Sequence, residues 1–139
     1  MAERESIYLD GFEHHNPIPA ASRIGPFVFS GVLTGLDPHT REMPAELYEQ
    51  CANVFHHARA VMAAVGGSTD DVAKMTFWLS DYRDRAALNR EWMTMFPDPA
   101  SRPARQVVAA QLDNGALIHC DLIAILSRGH LGINSLTSE

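Results

Sequence analysis

Three side chains near the end of the chain stand where they can do chemistry. Arg105 heads a largely apolar run directly after Pro103-Ala104, and His119 and Asp121 interrupt a second run that otherwise reads Leu, Ile, Cys, Leu, Ile, Ala, Ile. A guanidinium is a planar fork that holds a carboxylate through two hydrogen bonds. An imidazole titrates near neutrality and serves as a general base or a water-orienting group. The same residues also fit a structural reading, in which Arg105 pairs with Asp121 at an interface and His119 is a hydrogen-bonded bystander. The spacing alone leaves both open.

Other candidates rank lower. His14-His15 and His56-His57 are adjacent pairs, and neighbouring side chains on a helix do not share a face. No Cys/His cluster has metal-ligand spacing, so no metal site is expected. Gly31 and Gly35 do not make a phosphate-binding loop. Ser30 before Gly31 lacks the strand-to-helix elbow of a nucleophilic serine and reads as a strand end whose hydroxyl or backbone lines a pocket.

The 11 Lys and Arg against 17 Asp and Glu, a formal charge of −6, count against a nucleic-acid partner. A small anionic metabolite drawn to a local arginine fits better. No apolar run approaches the roughly 20 residues needed to span a bilayer, so no membrane partner is expected. The polar N-terminus does not read as a signal or transit peptide, and Cys51 and Cys120 fall on apolar stripes as reduced packing residues. A cytoplasmic location is the expectation.

The elements that must position these residues follow from hydrophobic periodicity. Residues 1–16 carry few packing signals and read as a partly mobile arm. "ASRIGPFVFSGVLTGLDPHTREMP" reads as two strands and a turn opened by Asp37-Pro38. From Pro44 to Val65, Leu47, Cys51, Val54, Phe55, Ala58, Val61, Met62 and Val65 recur at steps of three and four, with Gln50 assigned to another direction, and Gly66-Gly67 stops the helix. "DDVAKMTFWLSD" is a strand with Ala73, Met75, Phe77 and Leu79 pointing one way. Asp81 caps a second helix through about Met95, with Leu88, Trp92 and Met95 inward. Two strands, about 105–111 and 117–126, close the domain through the Asn114-Gly115 turn, which predicts a hairpin.

Two helices cover one face of a five- or six-stranded sheet. Alternation puts His119 and Asp121 on the other face, where Val107, Leu117, Ile123 and Ile125 are also expected. An uncovered, partly apolar face calls for another subunit, so a cyclic homo-oligomer is expected.

With these residues in order, the chain resembles the RidA (YjgF-type) family of reactive-intermediate deaminases over about residues 17–126. The resemblance rests on "FVFSGVLTGLDPHT", "AAVGGSTDDVAKMTFWLSD", "LNREWMTMF", "RPAR" and "NGALIHCDLIAI". It implies a chorismate-mutase-like α+β fold, a RidA-like domain at 17–126 between the arm (1–16) and a tail (127–139), and a homotrimer with pockets at subunit clefts. In active relatives the arginine after Pro-Ala holds the carboxylate of an enamine or imine such as 2-aminoacrylate or 2-iminobutanoate. Water then adds and ammonia leaves without a cofactor.

Arg105 matches that arginine. His119 stands where relatives often have a glutamate, and Ile18 where active members often carry a tyrosine, a contact His14 or His15 is left to supply. Gln106 replaces a usual small residue. Ser30, Gly31, Gly115 and Asp121 are implied as pocket lining. The segment "NPIPAASRIGPF" is similar to the 2-aminomuconate deaminase branch, whose extended dicarboxylate would suit Arg105 with a neutral or cationic His119. The alternative is a non-catalytic trimeric binder of small carboxylates or a chaperone-like relative. Relatives have also been labelled endoribonucleases, against which the acidic balance counts.

Overall fold

The computed structural model describes residues 3–127. Its strands are β1 (Arg4–Ile7), β2 (Ala21–Ile24), β3 (Phe27–Ser30), β4 (Leu33–Thr34), β5 (Val72–Leu79), β6 (Ala104–Ala109) and β7 (Ile118–Ile125). Helix α1 (Leu47–Ala64) lies between β4 and β5, and α2 (Ala86–Met95) between β5 and β6. The seven strands form one mixed sheet in the order β1-β2-β3-β7-β5-β6, with β4 also paired to β7. The fold is the expected α+β one with two helices, and the sheet is larger than the five or six strands expected.

The periodic segments fold as their patterns dictate. Cys51, Val54, Phe55, Ala58, Val61 and Met62 of α1 are buried against Met75, Phe77 and Leu79 of β5 and Ile118, Cys120, Leu122 and Ala124 of β7. Phe55 stacks on Phe77 at 5.6 Å, and Trp92 of α2 meets Phe77 edge-on. Val72 is buried and Ala73 exposed, the reverse of simple alternation, because the register shifts between Val72 and Lys74 at a bulge.

Four expectations are corrected. The N-terminal segment is not a loose arm: β1 pairs antiparallel with β2, and Ile7, Leu9 and Phe12 are buried in the core. Asp81 does not cap α2, which starts after Arg85; its carboxylate accepts hydrogen bonds from Arg83 instead. Val107 faces the helices, because it pairs with Phe77. The most consequential correction concerns the last two strands. Asn114 and Gly115 do form a turn with φ of 59° and 78°, but the strands it joins diverge. β6 pairs parallel with β5, and β7 pairs antiparallel with the other edge of β5. The tail expected at 127–139 lies outside the described residues except for Ser127.

Candidate functional site

Residues paired in neighbouring strands point to the same face of a sheet. Arg105 pairs with Met75, which also pairs with the buried Leu122, so Arg105 is on the helix side. There its guanidinium lies 5.1 Å from the centre of the Trp92 ring on α2. His119 pairs with Trp78 and Asp121 with Thr76, on the opposite side. The ion pair between Arg105 and Asp121 that the sequence allowed therefore does not form.

Arg105 is half-buried at the outer edge of the sheet and makes no hydrogen bond or ion pair among the described residues. Burial lowers its pKa, with the nearby charge of Arg85 adding to the effect. A desolvated guanidinium without a counter-ion is a ready anion receptor.

His119 lies at a separate cleft of about 600 Å³, whose walls include His14, Asn16, Ile18, Thr34 and Asn114. Thr34 of β4 is its cross-strand partner. Burial lowers the pKa of His119, and the charge of Asp113 opposes this in part, so the ring is neutral at pH 7. It makes no hydrogen bond among the described residues, which leaves a basic nitrogen for a ligand or water. Asp121, expected in the pocket lining, is half-buried outside this cleft with its pKa raised by burial, an effect Lys74 opposes.

The cleft brings together two of the expected residues, His119 and Ile18, beside the turn that carries Gly115. Ile18 is 47% exposed, a free apolar surface in place of a hydroxyl. Ser30 and Gly31 do not line it. The Ser30 hydroxyl donates to Gly31 O at 2.8 Å and accepts from Leu122 N at 2.9 Å, filling the gap where β7 changes partner from β3 to β4. Gly31 N donates to Ala20 O. Both residues hold the sheet together.

Sequence reasoning missed Gln50. It is fully buried on the core side of α1. Its amide nitrogen donates to Pro44 O at 2.7 Å and Gly115 O at 3.0 Å, and its amide oxygen accepts from Leu117 N at 2.8 Å. The helix thereby fixes the turn and the start of β7, two residues before His119. Close approach is allowed by Gly35, where a Cβ would come 2.7 Å from Gln50 Cα. The signal was present: Gln50 follows Leu47 by three and precedes Val54 by four, on the buried stripe.

Of His14 and His15, the two side chains left to supply the contact absent at Ile18, His14 lines the cleft. Its Nε2 is buried without a hydrogen-bond partner, and its ring meets Phe12 edge-on at 5.1 Å. Phe12 in turn packs at 4.5 Å on His57, whose Nε2 bonds Leu36 O at 2.7 Å. This row fixes the His14 ring in the cleft wall.

Comparison with known proteins agrees with this architecture. Residues 3–126 match the family described as Endoribonuclease L-PSP. A RutC family protein of Pyrococcus abyssi is 32% identical over 110 residues, covering 78% of this chain and 85% of the relative. A 2-iminobutanoate/2-iminopropanoate deaminase of Escherichia coli K12 is 30% identical over 118 residues, covering 76% and 91%. The structure of E. coli TdcF with bound serine superposes with a TM-score of 0.81 at 25% identity, over 88% of this chain and 99% of that one. Together with the chorismate-mutase-like arrangement of sheet and helices, these matches show that the chain belongs to the Endoribonuclease L-PSP family, also called YjgF or RidA.

Proposed function

We propose that this chain is a cofactor-independent deaminase that hydrolyses enamine and imine carboxylates to keto acids and ammonia. The observation that carries the reading is the half-buried, unpaired guanidinium of Arg105 on the edge strand β6. The 30% identical relative from Escherichia coli, a 2-iminobutanoate/2-iminopropanoate deaminase by name, carries the same chemistry.

Arg105 holds the substrate carboxylate. The enamine takes a proton on carbon to become the iminium. Neutral His119 then removes a proton from water as its oxygen adds to the iminium carbon, giving a neutral carbinolamine. The protonated His119 passes that proton to nitrogen, the C–N bond breaks with its electrons going to the departing ammonia, and the hydroxyl proton is released to solvent as the C=O bond forms. A positioned base of this kind contributes about 10²–10⁴-fold.

Within one chain these two groups do not meet. They lie two strand spacings and three residues apart, or about 14 Å between Cα atoms by standard sheet geometry, on opposite faces. A single substrate touches both only where Arg105 of one subunit faces His119 of the next. Ile24, Phe27, Phe29 and Ile125 expose about half their surface on the side away from the helices, which supports a homotrimer packed through it. A 2-aminomuconate-type substrate is the narrower reading, supported by His119 where a carboxylate would repel a second acidic group. The charge of −6 disfavours RNA as a substrate.

The test is ammonia release from 2-aminoacrylate, 2-iminobutanoate and 2-aminomuconate, with Arg105→Ala beside the wild type. The expected result is turnover of at least one substrate and its loss in the variant. Keto-acid binding without turnover would make the protein a carboxylate binder, and full activity in Arg105→Ala would remove the anchoring role.

A further inference from the structure

The cleft that holds His119 is larger than a four-carbon acid needs. Its volume of about 600 Å³ falls among sites that bury drug-sized ligands, about 300–1,000 Å³. Part of its wall is apolar. Leu33 of β4 is fully buried and pairs with Cys120, while its neighbours Val32 and Thr34 line the cleft beside His119. Met43 and Leu112 line it as well, and Ile18 stands in the same wall. Val32 is 41% exposed and Ile18 47%. Single exposed apolar side chains are ordinary, but these share one cavity with the candidate base.

Asp113 is the one carboxylate of this lining, and no lysine or arginine is among its described residues. A second carboxylate on the substrate would meet no such cation here. We infer that the wall formed by Ile18, Val32, Met43 and Leu112 is a subsite for the hydrocarbon side chain of the substrate. The cleft thereby selects chains longer than that of 2-iminobutanoate, and Ile18 and Val32 determine that specificity. With His119 at the reacting carbon and Arg105 of the next subunit on the carboxylate beside it, the side chain extends along this wall. The carbon chain of a 2-aminomuconate-type substrate fits it too, read by its length rather than by its second charge. The inference rests on the deaminase reading for its reaction and adds to it a substrate class and two specificity-determining residues.

The experiment compares kcat/KM for 2-iminohexanoate and 2-iminobutanoate, each generated in place by oxidation of its amino acid, in wild type, Ile18→Ser, Ile18→Leu and Val32→Ser. The wild type is expected to prefer the longer chain by about tenfold to twentyfold, since each buried methylene is worth about fourfold. Ile18→Ser and Val32→Ser should each lower that preference by about threefold or more, chiefly through KM, and Ile18→Leu should keep it. 2-Iminoadipate, with the same number of carbons and a second carboxylate, should gain no more than 2-iminohexanoate. A larger gain for 2-iminoadipate overturns the inference, because the charge would then be what is read. An unchanged preference in both serine variants also overturns it and leaves these side chains as packing surface for the next subunit.

Calorimetric binding of 2-oxohexanoate and 2-oxobutanoate separates this outcome from failure of the deaminase reading. If no imine is turned over but 2-oxohexanoate binds more tightly, and Ile18→Ser removes the difference, the apolar subsite stands and the deaminase reading falls. If the two acids bind alike, or both serine variants weaken the two equally, the subsite falls whatever the turnover.

Discussion

Arg105 and His119 face opposite sides of one sheet, with β5 between the strands that carry them. Two inactive variants, Arg105→Ala and His119→Ala, should therefore complement each other when their subunits mix. Random mixing gives an intact pairing at about a quarter of the interfaces of a cyclic oligomer. Co-expressed variants should recover about that fraction of wild-type activity, measured as ammonia release. No recovery from verified mixed oligomers would place the two residues in separate sites.

Acid should weaken both stability and activity, through burial of imidazoles. His57 is 1% exposed. Burial lowers its pKa from the ordinary 6.5, with the Leu36 carbonyl bond opposing, and burial likewise lowers that of His119. A depressed folded pKa means that the unfolded chain binds more protons. The stability is then present above about 6.5 and lost as pH falls through the folded values. Asp121 runs the other way: its folded pKa is raised above 3.8, so its contribution is present below 3.8 and lost as pH rises through the folded value. The urea midpoint should fall between pH 7.5 and 5.5, with a flatter slope in His57→Gln. Over the same range kcat/KM should drop as His119 takes a proton. A midpoint that rises toward pH 5.5 would contradict the histidine assignment.

Gln50→Leu should destabilise the chain by about 2–4 kcal/mol, because Pro44 O, Gly115 O and Leu117 N all lose a buried partner. Urea unfolding measures this directly. A loss below about 0.5 kcal/mol, the usual size of a surface change, would mean that water takes over these groups.

Phe29→Glu should fold but fail to assemble. Phe29 is 48% exposed beside Ile123 on the bare sheet face, so a charge there stays in water in the free subunit and cannot be buried by a partner. Light scattering should report a trimer for the wild type and a monomer for the variant. A monomeric wild type at micromolar concentration would remove the proposed interface.

His14→Phe should stabilise the free chain or leave it unchanged, since it replaces an unsatisfied buried nitrogen with carbon in an aromatic row. If His14 meets the substrate, KM should rise in the same variant. Unchanged steady-state constants would assign the ring to packing alone.

The legibility of this chain follows the range of the interactions. α1 was readable because its stripe is local, and even its missed member, Gln50, lay in register with it. The strand content of β5, β6 and β7 was readable from composition and alternation. Their order was not, because Asn114-Gly115 is a strong local hairpin signal and nothing nearby shows that β5 inserts between the strands it joins. That one pairing decided which face Arg105 occupies. The N-terminal strand was missed because Arg4, Glu5 and Ser6 are exposed and only Ile7 carries an inward signal. Arg105 and His119 were identifiable by residue type, while their separation within the subunit depended on long-range pairing.

The place of β7 in the sheet also sets when a working sheet can exist during synthesis. It pairs with β3, β4 and β5, so a nascent chain lacking residues 118–125 leaves strands on both sides of the sheet with vacant edges. The half bearing Arg105 and the half bearing β1 to β4 are joined only when this last described strand emerges. Truncation ahead of it should yield an aggregation-prone fragment, and a chaperone would have to shield those edges until translation has passed Ile125.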